Sequence, residues 1–184
     1  MFTTLPFDEE TEFTGPAAAR LWISSSTTDA DLFLILRFFD EEGSEVTFEG
    51  STDPNTPIAN GWLRASHRAL DPHRNTPWQP FHPHDRTDPL RPGGIYPVDI
   101  DFAPTCIVVP PGYRLGVSVR GKDYEFKGDL DAYGESFVYA TRGTGGMTHS
   151  DPDDRPPGIF GGQVKLHLGP DHRSHVLLPV IANS

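Results

Sequence analysis

No stretch of this 184-residue chain repeats apolar residues at helical spacing for long enough to specify a helix. What recurs is a short apolar or alternating segment closed by glycine, proline or aspartate, which constrains the chain to a fold built of strands. "AAARLWISS" (17–25) sets Leu21 and Ile23 on one face and Arg20, Trp22 and Ser24 on the other. "LFLILRFFD" (32–40) is too apolar for a strand with one wetted face and suits the middle of a sandwich. "SEVTFE" (44–49), "GGIYPVDIDFAP" (93–104), "TCIVV" (105–109), "RLGVSVRG" (114–121), "ESFVYAT" (135–141), "GQVKLHLG" (162–169) and "SHVLLPVIA" (174–182) complete the set. In the second of these, Tyr96, Val98, Ile100 and Phe102 alternate with Ile95, Pro97, Asp99 and Asp101. "TGP" (14–16) reads as a turn, residues 1–13 as a leading segment, and 71–94 as a long ordered loop. "GWLRASHRAL" (61–70) is ambiguous. As a helix it groups Trp62, Ala65, Ala69 and Leu70, and as a strand it sets Trp62, Arg64 and Ser66 opposite Leu63, Ala65 and His67. Roughly nine strands with turn signals between most of them predict an all-β jelly-roll sandwich over residues 1–184.

A domain of this length buries roughly 70% of its extended-chain surface and needs no disulfide or metal to hold it. Cys106, the single cysteine, lies in an apolar context that predicts a buried, inert thiol. One unpaired cysteine, no secretory leader and no apolar run of membrane-spanning length set the expectation of a cytoplasmic protein off the membrane. The net charge of −11 repels phosphate backbones, so nucleic acid is not an expected partner. The basic side chains are mostly arginine, the residue suited to paired, planar contacts with carboxylates.

Three clusters bear on chemistry. "WQPFHPHDR" (78–86) places His82 and His84 on one side of an extended loop, with Cα atoms roughly 7 Å apart. Zinc wants three or four protein ligands, and here Asp85 and His67 or His73 could add to the pair. The plainer reading is a loop stiffened by Pro80 and Pro83 and packed on Trp78 and Phe81, with no metal. "HSDPDDRPPG" (149–158) offers Asp151, Asp153 and Asp154 as hard ligands for calcium, though aspartates before proline are also ordinary turn residues. Trp22, Trp62 and Trp78 could stack on sugars, but a tryptophan in a strand more often fills a core or an interface. No cofactor is called for. A nucleophilic serine needs a base, an orienting acid and oxyanion donors, assembled in α/β-hydrolases at a G-x-S-x-G elbow. That motif is absent, so no catalytic residue is assigned.

The ordered segments "TEFTGPAAARLWISSSTTDADLFLILRFFD", "GWLRASHRALDP", "PFHPHDRTDPLRPGGIYPVDIDFAPT", "PPGYRLGVSV" and "THSDPDDRPPGIFGGQVKLHLGPDHRSHVLLPVI" carry a family resemblance. Over nearly the whole chain, the sequence resembles the C-terminal domain of Xaa-Pro dipeptidyl-peptidase-like serine hydrolases, a family that includes cocaine-esterase-like enzymes and α-amino-acid ester hydrolases. The resemblance implies a galactose-binding-like jelly roll that follows an α/β-hydrolase domain, with the Ser-His-Asp triad in that preceding domain. It implies a strand for "GWLRASHR" and makes Met1-Phe2-Thr3-Thr4 look like the junction. The implied function is to dock on the hydrolase domain and help wall its cleft, with His67, Trp78, Phe81, His82, His84, Asp85 and Arg86 as the interface or cleft-lining candidates. The alternative is a free-standing jelly-roll module that binds calcium or carbohydrate.

Overall fold

The computed structural model describes residues 1–50, 53, 55–127 and 148–182. The fold is organised by the most apolar strand, β3 (Asp31–Phe39). Its Leu32, Leu34, Leu36 and Phe38 enter the core between two sheets. Phe33 and Ile35 on its other face are equally buried, at 2% and 1% exposure. The guanidinium of Arg155 and the ring of His149 lie over Phe33, at 5.3 and 5.4 Å. A strand covered on both faces is the physical reason this segment lacks polar alternation.

In the first sheet β3 pairs with β7 (Arg114–Arg120) on one side, and with β5 (Ala59–Arg64) and the short β4 (Glu45–Val46) on the other. β1 (Phe2–Thr3) pairs with β7 at Val117 and Gly116. In the second sheet β2 (Thr11–Ser25) runs between β6 (Tyr96–Val109) and three short strands laid end to end. These are β8 (Val164–His167), β9 (His175–Leu177) and β10 (Val180–Ile181). All pairings are antiparallel. The all-β sandwich expected from the strand pattern is therefore the observed architecture. The predicted strand at 135–141 lies outside the described residues. Among the described residues no helix is long and apolar enough to cross a membrane.

The two layers meet over Leu21, Ile23, Val98, Ile100 and Phe102 from the second sheet and the even positions of β3 from the first. At one end Phe7, Phe13 and Phe38 cluster with ring centroids 5.3 to 6.4 Å apart. Each fully buried side chain of this size contributes about 1.5–3 kcal/mol. Where β5 meets β6 the backbones pack tightly, because Gly61 has no side chain to hold them apart. A Cβ built there would stand 2.0 Å from the Asp101 carbonyl oxygen.

Three local expectations are corrected. "TGP" is not a turn before a strand but lies inside β2, opposite a bulge in β6: the register shifts between Gly15 and Ala17, where Pro16 alone faces Ala103 and Pro104, and Gly15 adopts φ +132°. The bulge changes the inward parity of β6 from Val98, Ile100 and Phe102 to Thr105 and Val109. Cys106 consequently faces outward, exposed rather than buried, with the Thr14 hydroxyl 3.3 Å from its sulfur. A one-residue change of register moves every following side chain to the other face, which apolar context alone could not show. Finally, "GWLRASHRAL" is a strand through Arg64 and then a 3-10 turn at Ala65–His67, and a four-residue helix forms at Pro157–Phe160.

The 68–94 stretch is an ordered loop between β5 and β6. Asp88 and Leu90 donate backbone N–H groups to Ser66 and Thr28 (2.7 Å each), Gly93 donates to Ser25 (2.8 Å), and Leu90 is buried in the core.

Candidate functional site

The loop is built from its aspartate, asparagine and aromatic residues outward. Asp71 accepts hydrogen bonds from the backbone N–H groups of His73 and Arg74, at 2.8 and 3.0 Å. These bonds, His73 first, lower the pKa of its carboxyl. The Asp71 N–H donates to the Phe81 carbonyl at 2.9 Å, and the Arg74 guanidinium lies 3.5 Å from the centre of the Phe81 ring. The rigid-loop reading of Pro80-Phe81-His82-Pro83 thus has a structural basis, with one difference: Trp78 stays 54% exposed rather than packing inward.

His82 and His84 do not form a chelating pair, in keeping with the plainer loop reading. Both ring nitrogens of His82 meet backbone carbonyls, Nδ1 at Ala69 (3.1 Å) and Nε2 at Asp99 (2.8 Å), which pins the loop to β6. His84 instead turns to His67, with the two Nδ1 atoms 3.1 Å apart. It does so from φ +52°, the left-handed region in which a side chain is uncommon. Partial desolvation, followed by the neighbouring His67 and His82, lowers the His84 pKa. Arg86 lies 3.3 Å from Asp88 and 3.9 Å from Asp85 and remains largely exposed.

Next to His84 opens a cavity of about 250 Å³ lined by Phe33, Trp62, Arg64, His149 and Asp154 among others. Arg64 binds Asp31 through Nε and Nη2 (2.9 and 3.1 Å) and Asp154 through Nη1 and Nη2 (3.1 and 2.9 Å), and stacks 4.4 Å from the Phe160 ring centre. The bond to Asp31, then that to Asp154, raises the Arg64 pKa further, and Arg64 in turn lowers that of Asp154. Arg155 Nε lies 2.8 Å from Asp31, a close charge contact off the line of a hydrogen bond. Strand parity could have found this cavity, since Trp62 and Arg64 share the outward face of β5. The partners Asp154 and His149 arrive from about ninety residues away.

Two of the three aspartates weighed for calcium, Asp151 and Asp154, are engaged locally. Asp151 accepts the Asp153 N–H at 2.9 Å in a tight turn, and Asp154 is held by Arg64. Among the described residues no group of three or more His, Cys, Asp or Glu could hold a metal ion. The three tryptophans do not share a platform. Trp22 is half-buried edge-on to His172 (5.1 Å), Trp62 lines the cavity at 48% exposure, and Trp78 stands on the loop.

Two fragments of a catalytic triad occur, in different places. Ser24 Oγ lies 2.8 Å from His167 Nε2, across β2 and β8. Ser24 is only 6% exposed, and no carboxylate among the described residues bonds that imidazole. Asp123 accepts from the His149 N–H (2.7 Å) and meets His149 Nδ1 (2.8 Å), over the outer face of the other sheet. No described hydroxyl joins that pair. Among the described residues neither pair is completed to a nucleophile, base and orienting acid.

Comparison with known proteins agrees with that chemistry. Residues 1–128 match the family described as the X-Pro dipeptidyl-peptidase C-terminal non-catalytic domain. A Mycobacterium bovis protein named as a serine esterase is 32% identical over 127 residues, which is 66% of this chain and 18% of that protein. Cocaine esterase from a Rhodococcus species is 26% identical over 180 residues, 98% of this chain and 25% of the enzyme. The crystal structure of a CocE/NonD family hydrolase from Staphylococcus aureus superposes with a TM-score of 0.77 at 27% identity, over 98% of this chain and 30% of that one. An α-amino acid ester hydrolase shares the fold, with a TM-score of 0.62 at 16% identity. The chain thus spans a quarter or less of the length of these curated relatives. It belongs to the X-Pro dipeptidyl-peptidase C-terminal non-catalytic domain family, the β-sandwich unit found within CocE/NonD-type hydrolases.

Proposed function

We propose that this domain docks on an α/β-hydrolase catalytic domain and helps wall the substrate cleft of the complete enzyme, without performing the chemistry itself. The reaction of that enzyme is acyl transfer to water at an ester or amide, a class that includes release of Xaa-Pro dipeptides. The observation that carries this reading is the asymmetry of coverage: 98% of this chain aligns with only 25% of cocaine esterase and 30% of the staphylococcal hydrolase. The separation of the Ser24–His167 and Asp123–His149 pairs supports it.

Two surfaces suit the two parts of the role. An apolar groove of about 210 Å³ lies between β7 and the β8–β9 edge, lined by Leu21, Val117, Val119, Leu166 and Val176 with the exposed Phe2 and Leu168. Burying such a surface would drive docking. The 67–86 loop, with exposed Trp78, His84, Asp85 and Arg86 on a rigid base, is the part we assign to the cleft. The calcium-module reading gains no comparable support, because Asp154 is already neutralised by Arg64.

The test supplies a CocE/NonD-type α/β-hydrolase domain as a separate chain and measures complex formation by sedimentation and hydrolysis of a p-nitrophenyl ester and an Xaa-Pro anilide. A complex with altered turnover is expected. Absence of both would overturn the docking role. Labelling of this chain alone by a fluorophosphonate, with turnover, would overturn the non-catalytic role.

A further inference from the structure

We infer that His67 and His84 form a two-histidine site for a borderline divalent transition metal such as Zn²⁺ or Ni²⁺, with its remaining positions open to solvent or to an exogenous ligand. The spacing and anchoring of the two imidazoles carry this site, independently of the docking proposal. Nitrogens bound to one zinc at 2.0–2.1 Å stand about 2.9 Å apart at a right angle and about 3.4 Å apart at a tetrahedral one. The observed Nδ1–Nδ1 distance of 3.1 Å falls between these. The rings are inclined at 41° with centroids 5.2 Å apart, and a metal would take the place of the hydrogen bond between the two Nδ1 atoms. Each step balances simply. For a neutral pair, the proton between the facing nitrogens moves by tautomerisation to Nε2 of its own ring, which frees both Nδ1 lone pairs for the metal with no net change in protonation.

The scaffold holds this spacing at some cost. His67 ends a 3-10 turn fixed on both sides: the Ser66 N–H donates to Asp29 at 2.9 Å, and the Ser66 carbonyl accepts from Asp88 at 2.7 Å. His84 reaches it from a left-handed backbone, the only positive φ among described non-glycine residues. Strain of that kind, of order 1 kcal/mol or more, persists where the surrounding structure imposes it. The third histidine is excluded as a ligand, since both its nitrogens face carbonyls. Nitrogen donors select transition metals over calcium and magnesium. His84 is exposed, so the outer coordination positions are reachable.

The test is a Zn²⁺ titration of the untagged chain at pH 7.5, by calorimetry and by competition with a chromogenic chelator. It compares wild type with His67→Ala, His84→Asn and His175→Ala. Asparagine tolerates the left-handed backbone, so His84→Asn keeps the loop folded, and circular dichroism verifies the fold of each variant. The expected result is one equivalent bound by wild type and by His175→Ala. Both His67→Ala and His84→Asn should weaken it by about tenfold or more, since even groups outside the first coordination sphere are worth that much. Failure of wild type to saturate, or binding unchanged in either His67→Ala or His84→Asn, would overturn the site. Neither outcome bears on the docking experiment, which contains no metal.

Discussion

Replacing Gly61 by alanine should force apart the two sheets where β5 packs tightly on β6. The added Cβ would lie 2.0 Å from the Asp101 carbonyl oxygen, 3.1 Å from its carbon and 3.3 Å from Ile100 Cγ2. The first contact is with backbone, so no rotamer change relieves it, and the strands must part by roughly 1 Å or more in a close-packed interior. Overpacking typically costs about 1–3 kcal/mol, and a rigid backbone neighbour places this case at the upper end, about 3 kcal/mol. At about 2–4 °C per kcal/mol for a chain of this size, the Tm should fall by about 6–12 °C. Urea unfolding, followed by tryptophan fluorescence, should show the same loss with little change in slope. Gly121→Ala is the control, since nothing lies within 4 Å of a Cβ there, and it should stay within about 0.5 kcal/mol of wild type. A Tm for Gly61→Ala within about 2 °C of wild type would refute the close approach of β5 to β6.

Phe38→Ala, which empties the centre of the Phe7–Phe13–Phe38 cluster, should cost about 3–5 kcal/mol in urea unfolding, and a loss below about 1 kcal/mol would contradict its burial. Cys106 should react stoichiometrically with a maleimide in the native state, and protection until denaturant is added would contradict its outward orientation. The lowered pKa values of Asp71 and Asp154 make the folded state bind fewer protons than the unfolded one. Their contribution is therefore complete above the unfolded value near 3.9 and is lost as pH falls through the lower folded values. Stability followed from pH 7 to 2 should decline below about pH 4, and Asp154→Asn should remove part of that decline. An unchanged profile in that variant would contradict the pairing with Arg64.

Much of the architecture was legible from local pattern. The doubly apolar run of β3 pointed to a strand covered on both faces, and the alternation of Tyr96 through Phe102 matched the inward set of β6. Both signals depend only on the two-residue repeat of a strand, which side-chain polarity records directly. The candidate site was half legible. The histidines of the 67–86 loop could be listed, but their partners could not. His82 is committed to the carbonyls of Ala69 and Asp99, and His84 meets His67 across seventeen residues of chain. Carbonyl partners leave no mark in a sequence.

By itself, then, the sequence determined the strand class, the order of the strands along the chain and the lack of a nucleophile elbow, because these follow from local periodicity and motif. Only the tertiary structure decided which way each β6 side chain faces after the bulge at Ala103 and Pro104, and so whether Cys106 is buried or exposed. It also decided that Pro179 interrupts the last predicted strand, its carbonyl accepting the Thr14 N–H at 3.0 Å, to leave β9 and β10 separate. Register and long-range pairing depend on which backbones share hydrogen bonds, and those partners lie tens of residues apart in the chain.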